Sequence, residues 1–153
     1  MKPRSGSRSP RKKTPGQLAA QEKAALCARY ALDKKAYDIK VLHIGILSPI
    51  TEYFVICSGR SVRQVRAIAE HIQATLKHLQ AQSPIGVEGL LEGTWILLDY
   101  DDVVVHVFYE PTRDLYCLEK LWSEVPRIRI PEVESQEREN RRQDSQDEEA
   151  WDD

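Results

Sequence analysis

No stretch of this chain approaches the roughly 18 consecutive apolar residues that a membrane span requires. The basic N-terminus is not followed by the apolar core of a signal peptide. Cysteine is scarce: Cys27, Cys57 and Cys117 stand far apart, with no C-x-x-C pair and no histidine at ligand spacing. That pattern argues against both a zinc site and a secreted disulfide framework and suits a reducing cytosol. No repeat period is present either, so the 153 residues are read as one domain. Charge is plentiful but segregated. The formal net charge of -2 conceals an opening segment, residues 1–16, with six basic residues and no acid, and a segment after Pro131 dominated by Glu and Asp.

Both ends also lack apolar residues. Residues 1–16, rich in Pro, Gly and Ser, bury too little to offset the entropy of ordering and are expected to be a disordered basic tail. The same reasoning gives a disordered acidic tail over 127–153, leaving 17–126 as the folded domain. The basic, Ser-rich opening leaves an organelle transit peptide as the alternative to a cytoplasmic location, although no apolar residue but proline lies between Lys2 and Thr14 to build an amphipathic face.

Within the domain, QLAAQEKAALCARYALDKKA, from Gln17, has high helix propensity, and its small residues imply close packing on a sheet. DIKVLHI (38–44) and EYFVICS (52–58) read as strands, the second more buried. In SVRQVRAIAEHIQATLKHL, Val62, Val65, Ala69, Ile72, Leu76 and Leu79 recur at spacings of three and four, a clear amphipathic helix. Ser61 and Gln64 at its start form a capping box. After the loop SPIGVEGLLEG come the hairpin WILLDYDDVVVHVFYEP (95–111) and a short helix, RDLYCLEKLW (113–122). The order α-β-β-α-β-β-α makes a mixed sheet packed with helices, an α/β fold, the economical solution.

Three segments carry candidate chemistry. Ser58-Gly59-Arg60-Ser61, between a strand and a helix, offers amides and a dipole to a phosphate, or simply turns the chain. A strand, such a turn and a helix also resemble nucleotidyltransferases, yet the paired metal-binding carboxylates that should follow are missing. Asp99, Asp101 and Asp102 come some forty residues later, at a hairpin tip where Asp is a turn former. Arg60, Arg63 and Arg66 form either an RNA patch or a solvated helix face, and no aromatic stacking set accompanies them. His43, His71, His78 and His106 do not cluster.

The hairpin is more informative. With a two-residue turn at Asp101-Asp102, Trp95 opposes Phe108, Leu97 opposes His106 and Asp99 opposes Val104. Ile96, Leu98, Val103, Val105 and Val107 then form a purely apolar face. Trp95, Asp99 and His106 share the other, whose mixture suits protein recognition around an aromatic anchor. A three-residue turn would separate His106 from that group.

EYFVICSG (52–59), SVRQVRAIAE, GTWILLDYDDVVVHVF and RDLYCLEKLW, in this order and spacing, resemble the ribosomal silencing factors, or Iojap-like proteins, over residues 20–124. The chain departs from the usual D-Y-G-D hairpin by placing Asp101 where glycine supplies a positive φ. The resemblance implies a nucleotidyltransferase-like α/β fold without catalytic carboxylates, and a protein that is not an enzyme, with no cofactor or metal. It further implies binding to the large ribosomal subunit through ribosomal protein L-fourteen on the intersubunit face, blocking the small subunit, with homodimers when free and no sequence-specific nucleic-acid binding. A role in large-subunit biogenesis is implied by organellar relatives. Trp95, Asp99, Tyr100, Asp102 and His106 are the expected partner-binding residues, joined by Tyr116, Glu119 and Trp122. A nucleotide-binding or nucleotidyl-transferring enzyme using the Ser58–Ser61 turn is the alternative.

Overall fold

The computed structural model describes residues 18–151, with side chains as far as residue 147. The basic tail expected at 1–16 lies outside the described residues. Helix α1 (Ala20–Asp33) begins three residues later than its propensity suggests and presents Ala24, Cys27, Ala28 and Ala31, all fully buried, to the sheet. Side chains this small let the helix axis approach closely. Strands β1 (Tyr37–His43) and β2 (Tyr53–Gly59) follow, joined through a 3-10 turn at Ile44–Ile46. Helix α2 (Val62–Gln80) buries Val65, Ala69, Ile72 and Leu76 of the expected stripe together with Ile68, whereas Val62 is only partly buried and Leu79 is exposed.

The capping of α2 differs from a reciprocal box. The Gln64 amide donates to Ser61 Oγ at 3.0 Å, as expected. The Gln64 side chain instead accepts from the amide of Arg60 at 2.6 Å and donates to the carbonyls of Lys34 and Lys35 at 3.1 Å each. It therefore ties the end of α1 to the start of α2.

Strands β3 (Gly86–Glu88), β4 (Trp95–Asp99), β5 (Val103–Tyr109) and β6 (Arg127–Ile128) complete a six-stranded mixed sheet of order β3-β4-β5-β2-β1-β6. Its central β2–β5 pair is parallel and its other pairs antiparallel. One face meets α1 and α2. On the other, Ile56 and Phe108 pack with Leu42, Ile44 and Val125, while the chain returns through α3 (Glu110–Tyr116) and a 3-10 turn, Leu118–Trp122, to lay Leu118 and Trp122 over them.

The helix expected over 113–122 is thus two pieces. Cys117, at φ 49°, breaks it in the left-handed region. The disordered acidic tail expected over 127–153 is corrected more substantially. Residues 127–128 pair with Val41 and Leu42 of β1, and α4 (Pro131–Trp151) follows. Ile128, Ile130 and Val133, a handful of apolar residues in a charged segment, pack onto the helix-side core, Ile130 and Val133 fully enough to be buried. Glu137, also buried, accepts the Ile39 amide at 2.8 Å, satisfying a strand donor beyond the short reach of β6.

Candidate functional site: the hairpin face

The hairpin takes the register of a two-residue turn: Trp95 faces Phe108, Leu97 faces His106 and Asp99 faces Val104. Asp101 has φ 74°, as anticipated for the position where glycine is usual, and the Asp102 amide reaches the Tyr100 carbonyl at 3.0 Å around it. Asp99 Oδ1 accepts the Asp101 amide at 2.8 Å, so one carboxylate oxygen serves the turn. Ile96, Leu98, Val103, Val105 and Val107 are fully buried against the helices.

The opposite face is only partly roofed. Trp95, stacked on Phe108 at 4.7 Å between ring centroids, donates its indole N–H to His106 Nδ1 at 3.1 Å. Phe54 of β2 meets the His106 ring edge-on at 4.5 Å and that of Trp122 at 5.6 Å. Tyr116 stands 5.1 Å from Trp95 and is exposed, as are Leu115 and Leu121. Trp95, Phe54 and Trp122 are intermediate in exposure. The result is an aromatic shelf.

His106 lies beneath that shelf, not on it: it is only 4% exposed. Burial lowers its pKa from 6.5 to about 4. The ring is therefore neutral at physiological pH, and since Nδ1 accepts from Trp95, the proton sits on Nε2. Nε2 and the Trp122 indole nitrogen are both buried without a hydrogen-bond partner. Through its hydrogen bond with Trp95, His106 fixes the orientation of the indole ring.

The eight expected residues thus divide. Trp95, Tyr116 and Trp122 gather on the shelf, with Asp99 at its margin on the same strand face and His106 below. Tyr100, at the next alternation, is turned to the helix side and is 4% exposed. Asp102 pairs with the buried Lys23 of α1 at 2.7 Å, and its carbonyl accepts the amides of Glu52 and Tyr53. Glu119 accepts from Arg113 Nε at 2.7 Å, and Arg113, itself buried, also donates to Ser58 Oγ and the Asp38 carbonyl. Tyr100, Asp102 and Glu119 are therefore occupied by the fold itself. In the sequence Phe54 carries no signal of its place on the shelf: an unbroken apolar run does not say which alternate side chains reach the open face.

Trp95 is held from the loop as well. Gly89 has φ 86°, and a Cβ there would fall 1.9 Å from the Trp95 carbonyl oxygen, so only glycine allows the approach. At the Ser58–Ser61 turn the polar groups are already used: Ser58 Oγ by Arg113, the Arg60 amide by Gln64 and the Gln64 amide by Ser61. Among the described residues no group of three or more His, Cys, Asp or Glu is placed to hold a metal ion.

Residues 17–153 match the family described as ribosomal silencing factor during starvation. The chain is 45% identical over 96 residues to the ribosomal silencing factor RsfS of Bacillus subtilis, covering 61% of this chain and 79% of that protein. It is 36% identical over 116 residues to RsfS of Halalkalibacterium halodurans, covering 76% and 98%. The mouse mitochondrial assembly of ribosomal large subunit protein 1 is 35% identical over 92 residues, covering 59% of this chain and 40% of the mouse protein. A crystal structure from Chromobacterium violaceum matches with TM-score 0.67 at 36% identity, covering 69% of this chain and 88% of its own. Another, from Bacillus halodurans, matches with TM-score 0.64 at 36% identity, covering 72% and 99%.

Proposed function

Because the chain belongs to the ribosomal silencing factor family, a ribosome-associated silencing role is its premise, and we propose that it binds the large subunit through ribosomal protein L-fourteen and keeps the small subunit from joining by occupying its place. The docking surface is the aromatic shelf: Trp95, Tyr116 and Trp122, with Asp99 at the margin. It acts without cofactor or catalytic step, in the cytoplasm, and pairs with a second copy when free. Participation in large-subunit assembly follows the role for which the mouse relative is named.

The observation that supports this reading is the incomplete roof over one sheet face, where Trp95 is half-buried among aromatic rings and the neighbouring Leu115, Tyr116 and Leu121 are exposed. Rigid, partly desolvated aromatics of this kind dominate protein interfaces. The Ser58–Ser61 turn, whose two hydroxyls and Arg60 amide are engaged within the chain, gives the nucleotide-enzyme alternative less to bind with.

Trp95→Ala is expected to weaken association with isolated large subunits by about 2 kcal/mol or more, roughly thirtyfold in Kd. Co-sedimentation with separated subunits measures this. Because Trp95 also stacks on Phe108, circular dichroism and a urea midpoint accompany each variant, and Tyr116→Ala, at an exposed ring, provides a version with little folding cost. Native folding with undiminished subunit binding in both variants would remove the shelf from the contact.

A further inference from the structure

Helix α4 is held by charge far more than by apolar packing. Of its seventeen described side chains, 131–147, Val133 is the one buried apolar residue. Its other anchors are polar: the buried Glu137 accepts the Ile39 amide at 2.8 Å, Glu132 pairs with Arg29 of α1, Asn140 accepts from Lys35 Nζ at 3.5 Å, and Asp144 pairs with Arg60 at 2.9 Å. Positions 132, 140 and 144 differ by multiples of four and so follow one ridge of the helix. From the first to the last is about 18 Å at 1.5 Å per residue.

The three cations beneath come from two elements. Arg29 and Lys35 belong to α1 and the residues just after it, Arg60 to the turn entering α2, and the Gln64 side chain draws these segments together through the carbonyls of Lys34 and Lys35. Arg60 lies over the Tyr37 ring at 5.2 Å. Cations that meet positions spread over about 18 Å of α4 can follow several successive phosphates of one nucleic-acid strand. Arginine, which supplies two of the three, suits phosphate geometry.

We propose that α4 is an acidic strap lying over a surface that binds the phosphate backbone of RNA, and that this surface is opened when α4 lifts. The surface belongs to the helix side of the sheet, whereas the Trp95 shelf is on the opposite face, so both can be engaged together. The choice of RNA over an acidic protein rests on the ribosome-associated role. The strap itself rests only on the contacts above.

The test uses the full chain and a labelled RNA hairpin, followed by anisotropy across a salt series. Val133→Asp removes the apolar anchor while adding a negative charge, so net charge alone predicts weaker RNA binding. Release of the strap predicts tighter binding, on the order of tenfold at low salt, with the slope of log K against log salt steeper by about two as Arg29 and Arg60 lose their carboxylate partners. Limited proteolysis within 131–151 reports the release, and near-UV circular dichroism reports the core.

A second comparison keeps the net charge equal and decides the matter should Val133→Asp fail to fold or fail to release α4. Glu132→Gln/Asp144→Asn should gain affinity, while Glu139→Gln/Asp147→Asn, at two exposed positions of the same helix, should not. Equal gains in both pairs would reduce the effect to bulk charge and overturn the strap. So would a released α4 with RNA affinity no better than wild type. Gained binding to anionic lipid vesicles without a gain for RNA would overturn RNA as the occupant. Since RNA binding is read without ribosomes, failure of Trp95→Ala to affect subunit binding leaves this result standing.

Discussion

At the scale of the residue, the hydrogen bond from Trp95 to His106 couples the orientation of the shelf to a protonation state. Nδ1 accepts the indole N–H at 3.1 Å only while the ring is neutral, and burial holds its pKa at about 4 instead of 6.5. The sign follows from linkage. The unfolded chain takes up this proton near pH 6.5, the folded one only near pH 4, so the stabilisation is complete above about 6.5 and is lost as pH falls through that window. The full loss is about 3 kcal/mol, from about 1.4 kcal/mol per pH unit. His106→Gln keeps a neutral acceptor at every pH, and is expected to flatten this part of the acid limb when Tm is followed from pH 7 to pH 4. An acid limb identical to wild type would mean that the ring protonates without opening the fold. That His106 faces Trp95 was legible in the sequence, because a two-residue turn at Asp101-Asp102 dictates it. Its depth was not: Phe54, which meets the ring edge-on, comes from β2, whose placement depends on the parallel β2–β5 register, and Phe54 is in turn met by Trp122, placed by a helix break at Cys117.

Among the elements, the hairpin tip is pinned to α1 by Lys23 and Asp102 at 2.7 Å, with side chains 7% and 26% exposed. This asymmetry sets unequal costs for breaking the pair. Lys23→Met leaves a carboxylate that reaches water, costing about 1 kcal/mol. Asp102→Asn leaves a desolvated ammonium with no counter-charge, costing about 3 kcal/mol or more. Urea denaturation of both single variants and of Lys23→Met/Asp102→Asn should therefore show the double variant more stable than Asp102→Asn alone. Strict additivity would mean that the two side chains are not coupled. The sequence made the long periodic elements readable, α2 above all, where apolar spacing and the Ser61 cap agree. It left β3 and β6 unread, since strands of three and two residues carry no period and exist only because β4 and β1 offer them an edge.

For the whole molecule, the boundary that composition misplaced is also the one where the energetics are most evenly balanced. The segment after Ile130 reads as too charged to fold, and the reading errs because Val133 and Glu137 each find a specific place, one in the core and one on the Ile39 amide. What α4 contributes is still modest. Burying one valine is worth about 1.5–3 kcal/mol, and ordering the rest of the helix opposes it. Removing α4 returns the Ile39 amide to water, where it finds another acceptor. A chain ending at Ile130, which keeps β6 and the apolar contact of Ile130, should therefore still unfold in a single cooperative step, with a Tm lower by about 10 °C or less. Its urea m-value should be nearly that of the full chain, because m follows the surface exposed on unfolding and α4 hides little of it. Calorimetry and urea titration on the two chains separate the possibilities. A broadened, non-cooperative transition would make α4 an integral part of the core, and the strap could then lift only by unfolding its own domain. A small fall in Tm with an unchanged m-value would place α4 at the low-stability end of the structure, where an element that must come away has to lie.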